Sequence, residues 1–269
     1  MLKPRSRFRK GWLEARNAIG LAPLPEEQLG LIGPDPSDAR DRIKQPVDGR
    51  LLPVDLCDAF SVGIRNQGRT NACGGFSGAS GAEMLVEKAL GVRTRLSALD
   101  LYYSARRQKN ADTGVFMRDL MAALKSQGVA IERYWRDHQD PINPPRDPMG
   151  YDVSRFKVKS YERVQGVETM QRTLSMERLP VWVGVLMFER VMADAVRTGF
   201  FETPKPRDKE AGGHAMLAVG WNCIRGRVWF KLINSWGQDV GQNGIFWMPA
   251  EYLIEGICRD AWSVGKDYF

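Results

Sequence analysis

The sequence predicts an α+β fold. Three observations carry the prediction. Between residues 73 and 127, apolar residues recur at three- and four-residue steps, the helical period. From about residue 156 onward the chain turns to short runs rich in Val, Ile, Trp and Phe, with turns such as Arg225-Gly226 between them. Helices and strands are therefore segregated along the chain instead of alternating.

Taken in order, residues 1–50 read as an extended arm. Pro23, Pro25, Pro34, Pro36 and Pro46 break any long helix, and Gly30 and Gly33 loosen the backbone. A short helix around 10–19 is expected inside it. Residues 51–269 form the packed domain, with a helical lobe over about 61–150 and a β lobe over about 151–269. Residues 51–62 alternate and lead into the loop from Gln67 to Cys73. A helix starts at Cys73, with Phe76, Ala79, Ala82, Val86 and Ala89 on one face and Gly91 as its stop. Gly74, Gly75, Gly78 and Gly81 cost that helix about 1 kcal/mol each against Ala, an expense expected where a second backbone or a substrate comes close. Ser97 caps a helix over 98–109, and a third spans 116–127, ending at Gly128. A Pro- and Asp-rich loop fills 137–150. The second half predicts a strand at 156–164 and a helix at 167–179 stopped by Pro180. Further strands follow at 181–188, 214–221, 228–234, 244–248 and 260–264.

With 269 residues the chain can bury a large core. Its formal charge of +7 suits an anionic partner but is spread along the chain. Only Lys3, Arg5, Arg7, Arg9 and Lys10 are dense; they read as a solvated end or as an arm for nucleic acid, membrane or another anionic partner. No apolar run approaches the roughly 18 residues of a membrane span. The N-terminus has no apolar core and no small-residue cleavage site, so it does not read as a secretory signal. Cys57, Cys73, Cys223 and Cys258 are too few for a disulfide scaffold and match no zinc spacing. The expected setting is a reducing compartment, with the protein cytoplasmic or delivered from there, and neither metal nor cofactor is expected.

Four residues carry chemistry. A cysteine attacks as its thiolate, and a helix N-terminus, where Cys73 stands, helps to form it. The chain has two histidines. His138 lies in a polar loop and reads as a surface residue. His214 begins an apolar strand after Gly212-Gly213, where a base can be held rigidly. Asn234 ends another strand, and its amide can accept from one imidazole nitrogen and aim the other at sulfur. Trp236 can cover that hydrogen bond from water. Gln67 can donate to an oxyanion beside the Cys73 amide. Singly, each has an ordinary reading: a buried thiol, a core histidine, a turn, a loop amide. The order Gln, Cys, His, Asn is what points to a thiol hydrolase.

At these residues the sequence resembles the papain-like cysteine peptidases, over roughly residues 51–265, and is most similar to the family's bacterial branch. Gln67-Gly, Cys73, Gly-His214-Ala and Asn234-Ser-Trp-Gly carry the resemblance, with Leu52-Pro53-Val54-Asp55-Leu56 and Gly244-Ile245-Phe246-Trp247 in support. It implies two lobes, a helical one and an antiparallel β-barrel-like one, with the cleft between them. It implies peptide-bond hydrolysis through an acyl-enzyme on Cys73, with His214 as base, Asn234 as its orienter and Gln67 in the oxyanion hole. A protein or peptide substrate would lie antiparallel to the Asp112-Thr113-Gly114-Val115 loop, and Gly114, Gly213, Ala215 and Trp236 are the positions expected to meet it. Two other readings share these residues: an amidase or acyltransferase acting on cell-wall or isopeptide bonds, and a degenerate binding module. The chain departs from the family at Gly74, where an aromatic is expected and whose absence should open the wall beside the sulfur. It departs again at Val240, where a second Trp is expected, and it lacks the disulfide-forming Cys before the nucleophile. The arm is shorter than a long inhibitory prodomain, so it reads as a small blocking segment or as a sign of different control.

Overall fold

A computed structural model describes residues 29–58, 63–145, 155–265 and 267–268. The short helix expected near residues 10–19, and the basic run before it, lie outside the described residues. Leaving the arm, the chain makes β1 (Val54–Asp55) and then, past the Gln67 loop, α1 (Cys73–Leu90), α2 (Ala98–Ala105) and α3 (Met117–Ser126). The second half runs β2 (Tyr161–Arg163), α4 (Val167–Ser175), β3 (Val181–Phe188), α5 (Glu189–Thr198), β4 (Glu210–Ile224), β5 (Arg227–Ile233), β6 (Ile245–Pro249), α6 (Glu251–Ile254) and β7 (Cys258–Val264).

The strands form one antiparallel sheet in the order β2-β7-β3-β4-β5-β6, with β1 added beside β4. Among the described residues no pairing joins β2 to β6, so the sheet stays open and does not close as a barrel. The fold is α+β, as the segregation of periods predicts. Among the described residues no helix is long and apolar enough to cross a membrane.

The two lobes meet along α1. Its first fourteen residues, Cys73 through Val86, are all buried, because α2 and α3 cover one side and β3 and β4 the other. Its small residues make that possible. A Cβ on Gly75 would lie 2.3 Å from the carbonyl oxygen of Ala98. One on Gly81 would lie 2.3 Å from the ring of Trp182, whose indole N–H donates to Ser77 O at 3.0 Å. The glycines that weaken the helix in isolation thus admit a second backbone and an indole at close range.

Several boundaries differ from the sequence reading, each for a local reason. α2 stops at Ala105 and not at 109: Arg106 turns extended at φ −73°, ψ 132°, and Lys109 Nζ takes up the freed carbonyls of Tyr103 and Ser104. α4 stops at Ser175; Arg178 turns left-handed at φ 53°, and the following Leu179 precedes Pro180 and is driven out of helical geometry. Of the strand expected at 156–164 only Tyr161–Arg163 pairs with β7, while Phe156 makes a lone bridge to Val129. The reading missed α5 altogether, although its buried Val191, Met192, Ala195 and Val196 and its left-handed Gly199 cap are a helical pattern.

Candidate active site

The site is built by pairing two segments far apart in sequence. Gln67 N donates to Ser235 O at 2.8 Å, and Gly237 N donates to Arg65 O at 2.9 Å. The loop carrying Gln67 is therefore held against the segment carrying Asn234. Arg65 fixes the loop from the other side. Its buried guanidinium bonds Glu83, Leu96 O at 2.7 Å and Asp137 at 3.1 Å.

Cys73 is the first residue of α1 and is fully buried. The amide of Ala215, next to His214 on β4, donates to its sulfur at 3.4 Å. Burial pushes the thiol up to about 11, while backbone amides of Ala215, Gly30 and Gly74 pull the other way and the charge of Asp112 adds to the rise. In this closed arrangement desolvation outweighs the helix N-terminus.

His214 Nε2 lies 2.8 Å from Asn234 Oδ1. The amide of Ser235 donates to that same oxygen at 2.7 Å, which fits an oxygen and not an NH2 at that position. Nε2 then carries the hydrogen and Nδ1 is the basic nitrogen. Trp236 stacks on the imidazole at 4.6 Å and 30°, and Phe246 meets Trp236 edge-on at 5.9 Å. Phe246 extends this cover, and Val240, at the position where a second Trp is expected, is buried too. Gln67 Oε1 accepts from Ser235 Oγ at 2.6 Å and its Nε2 donates to Thr70 O at 2.8 Å, so the side-chain amide is held at both ends.

The wall opposite is tied to the nucleophile loop by one carboxylate. Asp112 Oδ2 accepts from Asn71 N at 2.9 Å, and Asp112 O accepts from Asn71 Nδ2 at 2.8 Å. Oδ1 accepts from Tyr102 Oη, which itself accepts from Gly114 N at 2.9 Å. These bonds join Asn71, two residues before Cys73, to Gly114. Cys73, Cys223 and Cys258 are free thiols, and hydrogen bonds alone make this connection.

The cleft is occupied by the chain itself. Leu31 bridges Gly213 in antiparallel sense and Val115 in parallel sense. Leu31 N donates to Gly213 O at 3.1 Å, Val115 N to Gly30 O at 2.9 Å and Ile32 N to Val115 O at 3.1 Å. Gly30 passes so tightly that a Cβ would lie 1.7 Å from Asn71 O. The Leu31 side chain approaches Gly184 beside Met117 and Asp260. A void of about 270 Å³ continues along Ile32, Pro34, Leu186, Arg259 and Asp260.

The structure thus gathers Gln67, Cys73, His214 and Asn234, with Gly213, Ala215 and Trp236 beside them and Gly114 on the facing wall. His138 is exposed in its loop. One expectation is overturned. Gly74 does not open the wall beside the sulfur, because Val115 fills the space: a Cβ on Gly74 would lie 2.4 Å from its Cγ2. Sequence reasoning missed Asp112, Ser235 and the occupant of the cleft. The last left a signal, an apolar Leu29-Gly30-Leu31-Ile32 run inside a polar, Pro-rich arm. Among the described residues no cluster of three or more His, Cys, Asp or Glu side chains is placed to hold a metal ion.

With this geometry in view, comparison with known proteins is direct. The sequence profile described as papain family cysteine protease matches residues 54–261. The chain belongs to the papain family. An uncharacterized peptidase C1-like protein of Acanthamoeba polyphaga mimivirus is 31% identical over 187 residues, 62% of this chain and 58% of its own length. A cathepsin B-like cysteine proteinase 3 of Ostertagia ostertagi is 29% identical over 106 residues, 39% of this chain and 55% of its own. This papain-family chain therefore spans little more than half the length of these two curated relatives. Among solved structures, xylellain, a cysteine protease from Xylella fastidiosa, superposes with a TM-score of 0.77 at 27% identity, covering 91% of this chain and 98% of its own. A proCathepsin B of Trypanosoma congolense gives 0.73 at 16% identity over 88% and 86%, a likeness of fold alone.

Proposed function

We propose that the protein is a cysteine endopeptidase whose cleft is closed by its own arm. The observation that carries this reading is the convergence at Cys73. Its sulfur is bonded by the amide next to His214, and His214 is turned by Asn234 so that Nδ1 is the basic nitrogen. The Cys73 proton passes to His214 and the thiolate attacks a peptide carbonyl carbon. The Cys73 amide and the Gln67 Nε2 hydrogen not given to Thr70 O stabilise the oxyanion. His214 gives its proton to the leaving amine, and water, deprotonated by His214, hydrolyses the thioester and restores the thiol.

The arm accounts for the closed state. A substrate of this family is expected antiparallel to the Gly114–Val115 loop, and the arm runs parallel to it. Its Gly30 packs on the backbone of Asn71, two residues before the nucleophile. A substrate would take over the backbone groups of Val115 and Gly213 that now bond the arm.

The test is hydrolysis of casein by the full-length protein and by Cys73→Ala, with iodoacetamide labelling of Cys73 in parallel. Cleavage that vanishes in Cys73→Ala supports the reading. A second reading, a non-hydrolysing peptide-binding cleft, draws on the buried, high-pKa thiol; it predicts labelling of Cys73 without cleavage of casein or of cell-wall peptide.

A further inference from the structure

Beyond Leu31 two buried polar side chains fix the arm: Lys44, which bonds Val264 O and pairs with Glu162 and Glu177, and Asp35, nearer the cleft. Its carboxylate accepts from the indole N–H of Trp262 at 2.9 Å and from the amide of Arg118 at 3.0 and 3.1 Å. The side chain of Asp35 is 0% exposed. Arg118 is the second residue of α3, so this amide is one of the donors that a helix start leaves unpaired. Trp262 lies on β7. Two separate elements of the domain thus aim N–H groups at one carboxylate of the arm.

Asp260 of β7 faces it. The Asp35 amide donates to Asp260 Oδ2 at 3.1 Å, the Arg163 guanidinium lies within 4.0 Å of both carboxylates, and Asp260 is 1% exposed. The neighbours set the charge. Arg163 on β2 bonds Asp260 at 2.6 Å and lies 4.0 Å from Asp35 and 3.6 Å from Asp41. Arg118 bonds Asp41 at 2.6 Å. Arg107 acts on Asp35 from a distance, and the Cys258 thiol, held neutral by burial, donates to Asp260 O at 3.7 Å. Three carboxyl groups meet two close guanidinium groups. Fully ionised, the cluster carries an excess negative charge in a dry setting; with one proton on Asp260 it is neutral. Two buried carboxylates in contact do not both ionise readily.

We propose that Trp262, the Arg118 amide and the Asp260 carboxyl form a carboxylate-binding site at the edge of the cleft, that Asp35 is its intramolecular ligand, and that filling it takes up one proton. The ligand class is a carboxylate side chain on an extended peptide, here supplied by the arm. Burial, and then the charge of Asp35, hold the Asp260 carboxyl up at about 7. When the arm leaves, both causes are removed, and Asp260 falls back beside Arg163 and releases its proton. The value is higher docked than undocked. Docking is therefore tightest at low pH, weakens by up to about tenfold per pH unit as pH rises, and levels off above about 7. The arm loosens toward neutral pH.

Amide hydrogen exchange across residues 29–41 of full-length Cys73→Ala, corrected for intrinsic rates, tests this between about pH 5 and pH 8. Since that variant has no thiol, the result does not depend on whether the cleft hydrolyses anything. Protection should fall about tenfold or more across the range. Adding Asp260→Asn, which supplies the pair with a hydrogen that does not titrate, should keep the arm protected and flatten the profile. Asp35→Asn, which supplies it from the other side, should flatten it too. A flat profile in Cys73→Ala alone, or an unchanged slope with Asp260→Asn, overturns the proposal.

Discussion

Gly30 of the arm lies against Asn71 of the nucleophile loop, so close that a Cβ on it would stand 1.7 Å from the Asn71 carbonyl oxygen. A segment of the same chain thus covers the nucleophile loop, at the place the proposed reaction gives to the substrate. Gly30 is the one residue type that fits, because a Cβ there would sit 1.7 Å from a backbone oxygen of the nucleophile loop. The first prediction follows from that contact. Gly30→Leu cannot dock. Its Cys73 should react with iodoacetamide about tenfold faster or more than in the wild type, equivalent to at least about 1.4 kcal/mol of lost docking, with the melting temperature of the domain little changed. Equal labelling rates would contradict the occupancy of the cleft.

The pH dependence of labelling carries a second prediction. Burial is the largest cause of the raised Cys73 thiol, at about 11 against an ordinary 9.0, so the closed protein favours the uncharged form. Labelling of the wild type should rise by about tenfold per pH unit through neutral and mildly alkaline pH. In Gly30→Leu the midpoint should move down, because water and the His214 imidazolium then reach the sulfur. A midpoint that stays put would place the cause of the high value elsewhere than in the arm.

Asn234 acts through His214. Asn234→Ala removes the acceptor for Nε2–H, and its expected effect is a fall of about 10²-fold or more in kcat on peptides, with KM much less affected. Steady-state kinetics read the split. A change confined to KM would mean that Asn234 shapes binding and not the imidazole.

Asp112 is the third test residue. Asp112→Ala leaves Asn71 N and Tyr102 Oη without their acceptors. The expected cost is about 2 kcal/mol, or roughly 4–8 °C in Tm by calorimetry. Because this connection is made by hydrogen bonds and Cys73, Cys223 and Cys258 are free thiols, reductant should leave the wild-type Tm unchanged. A reductant-sensitive Tm would mean a disulfide does this work.

Much of the site is readable from the sequence because its parts are punctuated by residues with one physical use. Gln67-Gly68, Gly212-Gly213-His214 and Asn234-Ser235-Trp236 each mark a loop or strand end, and their order is informative where each alone is not. The segregation of helices and strands is readable from the change of period near residue 156. What the sequence hides is what depends on distant neighbours. Gly74 reads as a gap, yet Val115, forty-one residues on, fills it. Asp112 reads as an ordinary loop acid, and only the fold brings Asn71 and Tyr102 to it. Asp35 looks like one more polar residue of a Pro-rich arm, and nothing local says that Trp262 and Asp260 will bury it.

The central claim is that Cys73 is the nucleophile of a peptidase held shut by residues 30–35. Casein hydrolysis by full-length Gly30→Leu, beside the Gly30→Leu, Cys73→Ala double variant, tests it most directly. The account predicts cleavage by the single variant, faster than by the wild type, and none by the double variant. Cleavage that survives the loss of Cys73, or a single variant whose Cys73 is fully alkylated by iodoacetamide yet cuts nothing, would contradict it.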